Sequence, residues 1–158
     1  MSKVIELGKI IVNLCLDKVA EGSSEHEVNT TKLQKLLFLA QHEYVQKYRD
    51  ILFLDSIVRS DCGPAITQIR NEFSDKYDPG FNEKFTDVDP SLLDEKKVME
   101  TLNKIVSEHA KKSDLALILE CQSSEWFKSV KDLVSDEQRI PLKYFLTPLD
   151  QKITEIPS

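Results

Sequence analysis

The chain has 158 residues, 41% of them hydrophobic and 30% charged, and a formal net charge of −6. That length suits one domain with a real core, and the mixture is that of a globular protein rather than a disordered or fibrous one. The acidic balance argues against broad electrostatic capture of nucleic acid, and no run of eighteen apolar residues is available to span a bilayer.

Over residues 4 to 20, Glu6, Lys9, Asn13 and Asp17 recur three or four apart, and nearly everything between them is apolar. This spacing predicts a helix surrounded by protein except along one narrow solvated stripe. The same four residues interrupt the apolar run, so it does not read as a signal-peptide core, and a cytoplasmic location is expected. "EGSSEHEVN" then reads as an exposed loop.

"TTKLQKLLFLAQHEY", residues 30 to 44, contains an unbroken apolar run over 36–40. Thr31 with Gln34 fits a capping box. Leu33, Leu36, Leu37, Ala40, Tyr44 and Tyr48 share one helical face, while Lys32, Lys35, His42, Glu43 and Gln46 gather opposite. Phe38 and Val45 flank the core face beside Gln34 and Gln41, and Leu39 falls within the polar side. More of this helix is apolar than one packing partner requires.

"ILFLDSIVRS" is rich in β-branched and aromatic residues and predicts a short strand or extended segment. Gly63-Pro64 then opens a helix expected at about 64 to 77, because proline suits the first helical turn; Ile66, Ile69, Arg70 and Phe73 supply its stripe. "DPGFNEKFTDVD" is a turn-rich connection. From 71 to 100 there are nine acidic residues against four lysines, a local excess of five negative charges. Solubility is a plainer explanation of that excess than a basic partner.

Asp89 is placed to cap the next helix with Pro90 at its first position. The stripe of that helix is Leu92, Val98, Met99, Leu102, Ile105 and Val106, and Lys111-Lys112 suit its negative end. Ser113-Asp114 opens another helix, "DLALILECQ", and Ser124-Glu125 opens a further one striped by Trp126, Val130 and Leu133. "IPLKYFLT" is a last short element. The expected fold is mainly α: one helical bundle over 1–147 with a small extended or β segment, followed by a tail over 148–158 that frays.

Residues suited to chemistry are few. Cys15, Cys62 and Cys121 are odd in number and scattered, without a CxxC, and read as free buried thiols. Cys62 could serve as a nucleophile only with a positioned base such as His42 or His109, and no local motif supports one. His26, His42 and His109 lack metal-ligand spacing, and four glycines include no phosphate-cradling loop. No enzyme activity, metal or cofactor is expected. Residues 29 to 50 carry Lys32, Lys35, Lys47 and Arg49 against Glu43 and Asp50, a surplus of two that suits a solvated face better than a nucleic-acid interface.

The order of features is more informative than any one of them. "KLQKLLFLAQ" leads to "LFLDSIVRSDCGP", then to a helix, an acidic connector, "DPSLLDEKKVMETLNKIV", "SDLALILE", "EWFKSV" and "IPLKYF". This succession, over roughly residues 28 to 146, resembles the Panacea domain family of SocA-like and phage-associated GepA-like proteins. Leu33, Gln34, Lys35, Leu36 and Leu37 match its first motif, Gly63-Pro64 the second and Trp126 the third. The sequence departs from the pattern at Cys62, where the family has tyrosine or another aromatic, and at Glu120-Cys121, where a polar pair such as Thr-His is common.

The resemblance implies an antitoxin that neutralises a cognate toxin protein by direct binding, and for some members an adaptor that delivers the toxin to an ATP-dependent protease. The apolar surplus on the 30–48 helix makes Lys35, Phe38, Leu39, Gln41, His42 and Val45 the expected partner-binding patch. The alternative is a phage-associated DNA-binding regulator, which requires a basic recognition helix.

Overall fold

The computed structural model describes residues 2–22, 28–73, 80–123, 127–128 and 138–145. Among the described residues, six helices and a two-stranded antiparallel sheet form a mainly helical bundle: α1 (Lys3–Ala20), α2 (Thr30–Tyr48), β1 (Ile57–Ser60), β2 (Gly63–Ile66), α3 (Thr67–Phe73), α4 (Pro90–Leu93), α5 (Lys96–His109) and α6 (Asp114–Ser123). A 3-10 turn, Leu142–Phe145, follows.

The centre of the bundle is α2. Leu33, Leu36, Leu37 and Ala40 are fully buried and Tyr44 nearly so, as the 3.6-residue period requires. Its opposite side is only partly solvated: His42, Glu43 and Gln46 are half-buried. Lys32, Lys35, Gln34, Gln41, Phe38 and Val45 are buried as well, because α1, α3, α5, α6, β2 and the 3-10 turn enclose the helix. The helix starts at Asn29, whose side chain accepts from the Lys32 N–H at 2.8 Å. Gln34 is therefore not the far half of a capping box on Thr31.

In α1 the four polar residues do not form a solvated stripe. Glu6 and Lys9 are buried and Asn13 and Asp17 half-buried, because residues 84–89 lie along them. Glu6 Oε1 accepts from the Asp89 N–H (2.8 Å), and Lys9 Nζ bridges Glu6 and Asp87 (3.0 and 3.1 Å). Asn13 binds both the N–H and the carbonyl of Phe85 (2.7 and 2.9 Å), and Lys84 pairs with Asp17. Burial lowers the Lys9 pKa, but the hydrogen bonds to Glu6 and Asp87 outweigh it and leave it raised. Part of the acidic excess in the connector is thus bound within the protein.

Gly63-Pro64 does not open a helix. Both residues lie in β2, paired with β1 in the register Ile57↔Ile66, Val58↔Ala65, Arg59↔Pro64 and Ser60↔Gly63. Gly63 takes φ +93°, a conformation that suits glycine, and so reverses the chain there. A strand with one neighbour tolerates the missing proline N–H. The helix begins only at Thr67, and residues 74–79, which the expected helix also covered, lie outside the described residues. The stretch 138–140 adds to the free side of β1 through the Arg59 N–H to the Gln138 carbonyl (3.0 Å) and the Ile140 N–H to the Ile57 carbonyl (2.8 Å).

The expected helix from Pro90 is two helices. Asp89 caps α4 through the Ser91 N–H at 3.0 Å, and Glu95 then takes an extended conformation before α5. Val98 lies six positions after Leu92, which would put the two about 120° apart on a continuous helix. The break lets both face the core, where they are 5% and 2% exposed. Ser113 caps α6 as expected, its Oγ accepting from the Ala116 N–H.

Candidate functional site

The start of α2, the β1–β2 turn and α3 enclose an open cleft of about 390 Å³. Thr31, Gln34 and Lys35 line it from α2, where the three- and four-residue spacing places them on one face. Ser60, Asp61 and Cys62 come from the turn, Ala65 from β2 and Arg70 from α3.

Two sequence motifs meet here physically. Lys35 Nζ donates to the Pro64 carbonyl at 2.8 Å. Gln34 Oε1 accepts from the Ile66 N–H at 2.9 Å, while its Nε2 donates to the Thr30 carbonyl. The polar pair inside "LQKLL" therefore holds the strand that "GP" begins. The turn is held by Ser60 Oγ donating to the Gly63 carbonyl (2.6 Å) and by Gln122 Nε2 of α6 donating to the Asp61 carbonyl (2.7 Å).

The cleft lining holds two basic residues, Lys35 and Arg70, and one acidic residue, Asp61. Burial pushes the Lys35 pKa down, and the Arg70 guanidinium adds to this. The Cys121 thiol is pushed up to about 12 by burial, and Cys15 to about 11, so both stay protonated near neutrality. Cys62 is exposed, unlike the buried thiol expected from the sequence. Among the described residues no histidine lines the cleft. His42 lies beside Phe38 (centroids 6.4 Å apart), and His109 sits at the end of α5, where Lys112 Nζ donates to its Nδ1 at 2.9 Å.

Of the six residues expected to meet a partner, Lys35, Phe38, Gln41 and Val45 are buried, and Leu39 and His42 are half-buried. Phe38 packs on Phe145 (5.9 Å), and Gln41 is closed onto residues 52–53. The apolar surplus of α2 meets other elements of the same protein, so the patch expected there is largely interior. Leu33, Leu36 and Leu37 are core, and Gly63 and Pro64 are buried in the turn and strand. Trp126, most of the helix expected from Ser124, and His26 lie outside the described residues.

A surface that periodicity does not single out lies on α6. Leu115 and Leu119, four residues apart, are 64% and 53% exposed, and Ile118 between them is half-buried. The signal is present in "DLALILE": apolar residues there occupy every side of the helix, more than its one buried stripe of Leu117 and Cys121 needs. Gln122, which holds the turn at the cleft, follows Leu115, Ile118 and Leu119 at helical spacing, so the exposed stripe runs toward the cleft.

Residues 33–139 match the model of the family described as "Antitoxin SocA-like, Panacea domain", a span that begins at the first leucine of the "LQKLL" motif. No curated protein and no solved structure matches the sequence.

Proposed function

The chain belongs to the family of SocA-like antitoxins with a Panacea domain, and from that membership we propose that it binds a cognate toxin protein and neutralises it by direct contact. The observation that carries this reading is the family match, which covers 107 of the 158 residues and includes both motifs that build the cleft. Support comes from the α6 stripe. Exposed leucines one turn apart are the kind of surface a protein partner covers, whereas single exposed apolar residues such as Leu54 and Val19 are ordinary. Delivery of the bound toxin to an ATP-dependent protease is a second step of the same reading, separable from binding itself.

The test is co-expression with a small neighbouring open reading frame that poisons cells when expressed alone. The expected result is restored growth and co-purification of the two proteins; persistence of the toxin in a protease-deficient host would mark the adaptor step. Unrelieved toxicity together with tight, sequence-dependent DNA binding at low salt would overturn the reading in favour of a transcriptional regulator.

A further inference from the structure

The Lys35 side chain lines the cleft, yet the residue is only 2% exposed. Its ammonium carries three donors and among the described residues uses one, toward the Pro64 carbonyl. No carboxylate among the described residues lies within ion-pair distance of it, in contrast to Lys9, Lys84, Lys104 and Lys112, each of which has one. A buried cation without a counter-ion is costly, because protein dipoles replace its hydration only in part. The residue nevertheless belongs to the wall of an open cleft, with Arg70 as a second basic residue in the lining.

We propose that this cleft is a carboxylate-binding site, in which an aspartate or glutamate side chain, or the C-terminal carboxylate, of the bound protein becomes the counter-ion of Lys35. The proposal rests on the partner-binding reading and names the chemical group that the partner presents. The Thr31 hydroxyl is in the lining to add a hydrogen bond to a carboxylate, whereas the Ser60 hydroxyl proton is given to the Gly63 carbonyl and the Gln34 amide is committed to β2 and the helix backbone. Asp61 in the same lining disfavours a doubly charged phosphate over a singly charged carboxylate. The α6 stripe ends beside the turn, so one partner surface can place apolar side chains on Leu115 and Leu119 and an acidic group in the cleft.

The direct test is an NMR titration of the full-length protein with sodium acetate against sodium chloride at fixed ionic strength, with acetamide as the neutral isostere. Saturable shifts of the Lys35, residue 60–63 and Ala65 amides with acetate alone are expected. Lys35→Met should weaken acetate at least tenfold, and Arg70→Gln, on another wall, several-fold. Two short peptides separate the sources: one amidated with a single internal aspartate, the other with a free C-terminal carboxylate and no acidic side chain. The tighter binder names the group.

Acetate shifts no larger than those of chloride or acetamide on the wild-type protein would overturn the proposal, whatever the variants do. Because the titration contains no toxin, the two readings fail separately. Lost acetate binding with retained toxin capture removes the carboxylate site alone. Acetate binding in a protein that captures no toxin supports the site and removes the toxin reading.

Discussion

Gln41 has no exposed surface, and its amide closes on the backbone of the segment that follows α2. Its Oε1 accepts from the Leu52 and Phe53 N–H groups (2.8 and 3.4 Å), and its Nε2 donates to the Phe53 carbonyl (2.7 Å). An irregular segment has no strand partner to satisfy those groups, so a side chain takes the partner's place. Gln41→Ala leaves them buried and unpaired, and a loss of about 2–4 kcal/mol is expected in urea melts. A loss under about 1 kcal/mol would mean that water or a rearranged backbone replaces the amide. Two histidines give the protein a titration of its own. Burial lowers the pKa of both His42 and His109 below 6.5, and the Lys112 ammonium lowers His109 further. The unfolded state then binds more protons than the folded one just below pH 6.5, so stability falls as the pH drops through that value until the folded groups protonate in turn. The slope is at most about 1.4 kcal/mol per pH unit for each histidine. Denaturant midpoints from about pH 7.5 to 5 should show the decline, and His42→Asn should flatten it; an unchanged slope in that variant would assign the whole effect elsewhere.

At the scale of elements, polar residues of one helix hold neighbouring irregular backbone in place. Besides Gln34, Lys35 and Gln41, α2 uses Gln46 on the Phe145 carbonyl and Lys32 on the Ala110 carbonyl, where an ammonium also meets the negative end of α5. In the same way α1 holds residues 84–89. Asn13→Ala removes both bonds to Phe85, and hydrogen exchange should show the Phe85 amide losing protection while the Leu36 and Leu37 amides of α2 keep theirs. Equal loss at all three would mean that the connector and the bundle open as one unit. These clamps explain which parts of the fold are legible in the sequence. Periodicity locates α1, α2 and α5, and local chemistry locates the caps at Asp89 and Ser113 and with the latter α6, because both signals lie within a few residues of their effect. Both fail at Glu6, Lys9, Gln34 and Lys35, whose partners are 29 to 83 residues away. A polar side chain reads as solvated until that distant backbone is known to lie against it. Gly63-Pro64 misleads for a related reason: proline suits a first helical turn and a two-stranded sheet alike, and pairing with β1 decides between them.

For the molecule as a whole, burial moves attention away from the helix on which the sequence places the partner patch. The motif helix α2 is the hub around which the protein folds, and its motif residues Gln34 and Lys35 build the cleft from inside. The exposed apolar stripe lies instead on α6, where apolar letters carry no local sign that they stay outside, and the proposed partner contact is placed there. Replacing Leu115 and Leu119 together by aspartate tests this division. Each side chain is more than half exposed, so neither substitution opens a core cavity, and a change in folding free energy of about 0.5 kcal/mol or less per site is expected. Acid at residue 115 also sits in the first turn of α6, where the helix dipole tolerates it. Against the toxin, the same pair of charges must be desolvated on binding, and a loss of about 2 kcal/mol or more, roughly thirtyfold in Kd, is expected, the level of an interface anchor. Calorimetry on the purified pair measures both quantities on one sample. Toxin affinity within about threefold of wild type, in a variant that melts as the parent does, would remove α6 from the interface and shift it to Leu39 and His42, the half-exposed members of the α2 patch.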